Sequence, residues 1–230
     1  MRFKLTKYGW PQAVVFPVIV IGAMIICPML LLESVPFWAV VSIQAVLAVV
    51  LVWVLAFFRD PYRAVPLDKN ILLAPADGKI TDIEVADEDG FICGPALRIG
   101  IFLSIFDVHI NRAPCNAKVE KITYREGQCK NAMSPQSGRV NESNDLWLIR
   151  TDSPEDKLIV RQISGAIARR IVCKTSEGQS LTGGEKFGMI KFGSRTELYV
   201  PAREYTECLV KVGDKVKAGL SALVRYEKIR

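Results

Sequence analysis

Residues 11–58 read PQAVVFPVIVIGAMIICPMLLLESVPFWAVVSIQAVLAVVLVWVLAFF, and Glu33 is the only formal charge among them. A helix needs ~20 apolar residues to cross the hydrocarbon core of a bilayer. This run is about twice that length and is broken once, at Glu33-Ser34-Val35-Pro36. It predicts two membrane helices, 12–32 and 36–58, joined by a tight turn. A cleaved signal peptide is the competing reading, but the run is too long for one and a second span follows at once. Two helices buried in a soluble core fit less well, because neither has a polar face.

The flanks of the run set an orientation. Arg2, Lys4 and Lys7 precede it, Arg59 and Arg63 follow it, and the connecting turn has no Lys or Arg. The excess of cations on cytoplasmic flanks therefore predicts that both ends, and the domain that follows, lie on the cytoplasmic side of the cell membrane. Trp10, Phe57 and Phe58 stand where interfacial aromatics are expected.

Beyond the hairpin the chain changes character. Residues 59–230 carry charge at an ordinary soluble density and are long enough for one domain with its own core. Of the net charge of +6, residues 1–58 hold three cations and one anion, which leaves +4 for the remainder. That balance suits work beside an anionic lipid surface. Nucleic acid is a poor match, since no aromatics interleave with a concentrated basic stripe. The six cysteines, at 27, 93, 115, 129, 173 and 208, form no Cys-x-x-Cys pair, and there is one histidine. A metal site has little to build from, so none is expected. Small buried apolar residues are the ordinary reading of all six, reduced in a cytoplasmic setting.

The domain reads as predominantly β, with a barrel-sandwich-like topology. Strands are expected at 71–74, 79–85, 97–103, 117–124, 146–150, 157–163, 171–173, 189–192 and 197–200, punctuated by turns such as Pro75-Ala76-Asp77-Gly78. Residues 131–144, rich in Ser, Asn and Gly, predict a loop, and 164–170 a short helical turn. Leu209-Val210-Lys211-Val212-Gly213-Asp214-Lys215-Val216-Lys217-Ala218-Gly219 resembles the hairpin of biotinyl/lipoyl-type barrels. No lysine sits at a tip in the Met-Lys context that carries biotin or lipoate.

Few residues can carry chemistry. His109 ends an apolar strand and is the natural proton carrier near neutral pH, with a hydrogen-bonded structural role as the bland alternative. Asp77 and Gly193-Ser194, each taken alone, read as ordinary turns. No Gly-x-Ser-x-Gly elbow surrounds Ser194. Arg169 and Arg170 suit a phosphate or carboxylate as well as they suit solvent.

Together, in order, these segments resemble one family. Phe57-Phe58-Arg59-Asp60-Pro61, Ala74-Pro75-Ala76-Asp77-Gly78, Asp107-Val108-His109-Ile110-Asn111-Arg112, Gln162-Ile163-Ser164-Gly165 with Ala168-Arg169-Arg170-Ile171-Val172, and Gly188-Met189-Ile190-Lys191-Phe192-Gly193-Ser194-Arg195 are similar to motifs of the short, membrane-anchored bacterial phosphatidylserine decarboxylase proenzymes. The resemblance implies a hairpin at 1–58 and a decarboxylase domain at 59–230, self-cleaved into 1–193 and 194–230. Ser194 Oγ would attack the Gly193 carbonyl to give an ester, and elimination and hydrolysis would leave a covalent pyruvoyl group at Ser194. That pyruvate-derived cofactor would form a Schiff base with phosphatidylserine in the membrane and release carbon dioxide, giving phosphatidylethanolamine. Asp77 and His109 would support Ser194. Arg112, Arg169 and Arg170 are candidates for gripping the substrate phosphate. The partners implied are the two cleavage products as a heterodimer, with a further dimer of these pairs left open.

Two departures stand out. Longer members have a second histidine three positions on, where this chain has Arg112, and Gly-Ser-Thr or Gly-Ser-Ser where it has Gly-Ser-Arg195. Two other classes compete: a membrane-tethered biotinyl/lipoyl-like adaptor, and a membrane serine peptidase with an unmodified Ser194.

Overall fold

A computed structural model describes residues 4–128, 130–134, 137–165, 170–191 and 193–227. The chain divides into two compact units, Met1–Pro61 and Tyr62–Arg230. The first unit holds α1 (Gln12–Leu31) and α2 (Phe37–Phe57). Each is about 30 Å long at 1.5 Å per residue, enough to cross a bilayer core. Pro36 caps α2, where a missing N–H costs nothing. Val18, Ile19, Ile26, Val46 and Val52 point outward and exposed, as side chains facing lipid must. The Gln44 side chain donates to the Met24 carbonyl at 3.1 Å, a polar bond between the two helices. These two apolar helices are a membrane-associating element. Trp10 is exposed, but Phe57 and Phe58 are not. Their rings meet edge to face at 5.0 Å, and Phe58 lies against Gly9 so closely that a Cβ there would come within 2.4 Å. Local packing of the chain end thus overrides their expected interfacial role.

The second unit is β-rich. Its strands are β1 (Ile71–Leu73), β2 (Gly78–Glu88), β3 (Gly94–Leu103), β4 (Ile110–Arg112), β5 (Ala117–Arg125), β6 (Ser143–Arg150), β7 (Lys157–Ile163), β8 (Ile171–Cys173), β9 (Ser180–Leu181), β10 (Lys186–Ile190), β11 (Ser194–Pro201), β12 (Thr206–Cys208), β13 (Lys215–Val216) and β14 (Ala222–Tyr226). A one-turn helix, α3 (Ser137–Val140), interrupts them. The main sheet runs β13-β2-β3-β11-β7-β6-β5-β9, and two smaller sheets run β1-β14-β12 and β4-β10-β8. Every pairing between these strands is antiparallel.

Alternation along the central strands decides what each face does. Leu97, Ile99, Ile101 and Leu103 of β3, Leu198 and Val200 of β11, Leu158 and Val160 of β7, and Leu146 and Leu148 of β6 fill one core. The intervening residues face the other way. On that outer face Phe91 stacks on Trp147 at 4.9 Å beside Tyr199 and Ile159.

Several local expectations change. The loop expected at 131–144 contains α3 and the start of β6. Ser194 is the first residue of a strand, whereas Gly-Ser alone reads as a turn. The Gly213-Asp214 turn forms, with Gly213 at φ +101° and the Lys211 N–H donating to Asp214 Oδ2 at 2.9 Å. Its return strand β13 pairs with β2 and not with the segment before the turn. Cys93 is exposed at φ +60°, unlike the buried Cys115, whose thiol pKa is pushed up to about 12, first by burial. Of the expected helical turn at 164–170, residues 166–169 lie outside the described part of the chain.

Candidate active site

Ser194 opens β11 opposite Leu103, the last residue of β3. It is fully buried, and its Oγ has no hydrogen-bond partner among the described residues. A buried hydroxyl left unpaired forfeits about 1–3 kcal/mol, so such an atom calls for a reason. The residue before it supplies one. Gly193 sits at φ +60°, in the left-handed region that glycine enters without a Cβ clash. Its carbonyl oxygen presses on Gly165, where an added Cβ would come within 1.9 Å of it. Two glycines thus make room for the carbonyl that precedes this buried hydroxyl.

His109 is positioned by two elements. It immediately precedes β4, whose Ile110 pairs with Met189, and the His109 carbonyl accepts the Ile190 N–H at 3.3 Å. The segment 104–108 joins it to Leu103, opposite Ser194. That segment is closed on itself: Asp107 Oδ2 accepts the Ser104 N–H, and the Ser104 carbonyl accepts the Asp107 N–H, both at 2.8 Å. Ile105 points at Gly193. His109 is fully buried, with Nδ1 2.9 Å from the Asp107 carbonyl. A carbonyl only accepts, so this bond places the ring proton on Nδ1 and leaves Nε2 as the basic nitrogen.

Asp77 is engaged elsewhere. Arg63 grips both its oxygens, at 2.5 and 2.7 Å, and the Ala218 N–H donates to Oδ1 at 2.8 Å. The turn it belongs to nevertheless docks on the histidine strand. The Pro75 carbonyl accepts the Arg112 N–H at 3.0 Å and the Asn111 side chain at 3.4 Å. Arg112 is itself buried and donates to the Gly184 carbonyl at 2.8 Å. Arg170 is exposed, and its carbonyl accepts the Lys191 N–H at 3.3 Å. Arg169 lies outside the described residues. Lys191, a residue the sequence gave no reason to single out, is buried two positions before Gly193. Burial, and then the charge of Arg170, lower its pKa.

A family model described as phosphatidylserine decarboxylase matches residues 50–223, from within α2 to within β14. The chain belongs to the phosphatidylserine decarboxylase family. Three relatives, each named phosphatidylserine decarboxylase proenzyme, show how evenly the likeness is spread. The protein of Desulfotalea psychrophila is 46% identical over 169 residues, covering 74% of this chain and 77% of its own. That of Carboxydothermus hydrogenoformans is 42% identical over 175 residues, covering 76% and 80%. That of Symbiobacterium thermophilum is 37% identical over 221 residues and covers 96% and 95%, so the likeness takes in the apolar hairpin as well. Nothing in these matches points to an adaptor.

Within this phosphatidylserine decarboxylase domain the motif segments are joined by a buried row of neutral side chains. Asn144 donates to Gln162 at 3.0 Å, Gln162 to Asn111 at 2.9 Å, and Asn111 to Thr196 Oγ1 at 3.1 Å. Gly188 leaves room for the Gln162 amide, which a Cβ would meet at 3.0 Å. The row ties the histidine segment, the Gln162 segment, the Gly188 segment and the strand of Ser194 together, and through Pro75 the turn of Asp77. Asn111 and Gln162 lie inside the quoted motifs, but only their long-range pairing reveals what they do.

Proposed function

We propose that the protein is a phosphatidylserine decarboxylase proenzyme that cuts itself between Gly193 and Ser194 and carries a pyruvoyl group made from Ser194. The observation that carries this reading is the buried Ser194 Oγ, without a partner among the described residues, next to a glycine in the left-handed region. In the cleavage, Oγ adds to the Gly193 carbonyl carbon and its proton passes to His109 Nε2. The amide nitrogen then leaves carbon, and the chain is joined by an ester. Elimination across the Ser194 Cα–Cβ bond releases Gly193 as a carboxylate, and hydrolysis of the remaining enamine releases ammonia. Glycine at 193 and at 165 supports the first step, since the attacked carbonyl must turn and change geometry in a crowded place.

The residues fit the pyruvoyl group. A fully buried position at a strand start, held on one side by β3, protects a ketone from water. Such a group supplies the carbonyl that captures the substrate amine and the electron sink for loss of carbon dioxide. His109 moves protons at Nε2. Asp77 acts by fixing the turn whose Pro75 carbonyl holds β4, and Arg170, exposed beside Lys191, meets the anionic headgroup. The hairpin keeps the enzyme at the bilayer that holds its lipid, with the domain on the cytoplasmic side because Lys4, Lys7, Arg59 and Arg63 flank the helices.

The test is an intact-mass spectrum beside a Ser194→Ala variant. Two fragments, 1–193 and 194–230, are expected, the smaller one lighter than its encoded mass and blocked to Edman degradation. The variant stays whole. A single unmodified chain from the native sequence would overturn the reading. Vesicles containing phosphatidylserine should release carbon dioxide only with the cut enzyme.

A further inference from the structure

Arg195 is a fully buried guanidinium one residue beyond the proposed cut. Alternation turns it to the outer face of the sheet, opposite to Ser194. There the register lays out a row across five strands. Asp82 of β2 pairs with Gly100 of β3, Gly100 with Glu197 of β11, Glu197 with Arg161 of β7, and Arg161 with Asp145 of β6. Gly100 is the one gap in this row, and the Arg195 side chain lies across it. A Cβ on Gly100 would come within 2.0 Å of Nη2.

So placed, Arg195 makes four hydrogen bonds, using all three of its nitrogens. Nε donates to Glu197 at 2.8 Å, Nη1 to Thr81 Oγ1 at 2.7 Å, and Nη2 to both oxygens of Asp82 at 2.7 Å. The row reads minus, plus, minus, plus, minus from Asp82 through Arg195, Glu197 and Arg161 to Asp145. Arg98 adds a second cation on Asp82 and Glu197, at 3.0 and 2.7 Å. Burial by itself would raise the Asp82 pKa; the hydrogen bonds from Arg195 and Thr81 and the charges of Arg195 and Arg98 together outweigh it and hold the carboxyl below its usual value. α3 closes over the row, with Gly138 against Glu197.

We propose that Arg195 is a positioning residue that keeps the start of β11 in place once the bond before it has been cut. The inference rests on cleavage at Gly193–Ser194. Before the cut, position 194 is held covalently from both sides. Afterwards it is a chain end, and chain ends fray unless tied down. β7 gives no help at position 194, because its pairing with β11 begins at Arg195. Arg195 is the nearest side chain along the strand, and its bonds reach two strands away to β2. It anchors the new end from the face where no chemistry occurs, so the group made from Ser194 stays beside His109.

The test uses the full chain with Arg195→Met and Arg195→Lys, each alone and combined with Ser194→Ala. Intact mass should show Arg195→Met cut nearly as completely as the native chain. In the cut enzyme kcat should fall by roughly 100-fold with KM within about twofold, and the amides of 195–198 should exchange faster. In the uncut Ser194→Ala background the same substitution should leave their exchange nearly unchanged. Arg195→Lys keeps the charge without the fork and should fall between. If Arg195→Met does not fold, Thr81→Val removes the acceptor for Arg195 Nη1 together with the hydroxyl's own bonds to Asp82 and the Gly100 carbonyl, and should lower kcat by about threefold in the same direction. A fully cut Arg195→Met enzyme with native kcat would overturn the proposal. So would faster exchange of equal size in the uncut chain. A native chain that stays whole would instead remove the cleavage reading beneath it, a separate outcome.

Discussion

The two faces of β11 carry polar rows of opposite kind. On the inner face Asn144, Gln162 and Thr196 sit side by side across β6, β7 and β11, and Asn111 joins them; every group is neutral. On the outer face Asp145, Arg161, Glu197, Arg195 and Asp82 continue the same strands with full charges. The difference follows from what each face must tolerate. Ser194 Oγ faces inward, and a strong field beside it would fix its proton or displace the histidine. Amides set geometry with weaker dipoles. The outer face has no reaction to disturb, so it can hold charges that lock the strands, provided each is paired.

The comparison can be broken in order of size. Changing His109→Gln removes the proton carrier while keeping a polar side chain of related shape, and self-cleavage should slow by about 1000-fold, read as the decay of full-length chain by intact mass. On the outer face, Asp82→Asn leaves Arg195 and Arg98 short of a counter-charge and should cost about 3 kcal/mol in denaturant unfolding of the domain. Its pH signature has a definite sign. The folded pKa of Asp82 lies below the unfolded value of 3.8, so its contribution is present above that pH and is lost as pH falls through the folded value. The Asn variant should therefore start lower above about pH 3.8 and lose that part of the acid-side slope, so that the two curves approach each other as pH falls.

Next in size is Gly165→Ala, which puts a Cβ into the Gly193 carbonyl. Cleavage should drop by roughly 100-fold while the purified chain keeps its β spectrum in circular dichroism. The smallest effect belongs to the neutral row. Thr196→Val deletes one acceptor for Asn111 and should cost about 1 kcal/mol of stability, with Thr196→Ser restoring most of it. Were Thr196→Val to cost as much as Asp82→Asn, the division between a gentle inner row and a strong outer one would be wrong.

Much of the scaffold was legible beforehand. α1 and α2 fall within two residues of the apolar run, because a bilayer demands length and apolarity and little else. β7 and β8 have the expected bounds, since alternation and flanking polar turns are local signals. β4 escaped notice: three residues that include Asn and Arg show no period. The site was half legible. Ser194, Gly193 and His109 could be named, and the structure shows Ser194 and His109 fully buried with Gly193 in the left-handed region. The Arg63–Asp77 pair could not be foreseen as a pair, nor the side on which Arg195 would lie. A register shift between Ile80 and Asp82 turns Asp82 outward, and no alternation rule survives such a shift.

By itself the sequence determined that an apolar hairpin precedes a β domain, that this domain belongs to a decarboxylase family, and which serine and histidine are the candidates for its chemistry. These depend on composition, short-range periodicity and ordered motifs, all properties of neighbours in the chain. Only the tertiary structure decided that Ser194 begins a strand with a hydroxyl unpaired among the described residues, that Gly165 lies against the Gly193 carbonyl, and that charges at 82, 145, 161, 195 and 197 form one row buried at its centre. Those contacts join strands as much as 113 residues apart. Their energies come from burial and from pairing across a sheet, and both exist only once the register has been chosen.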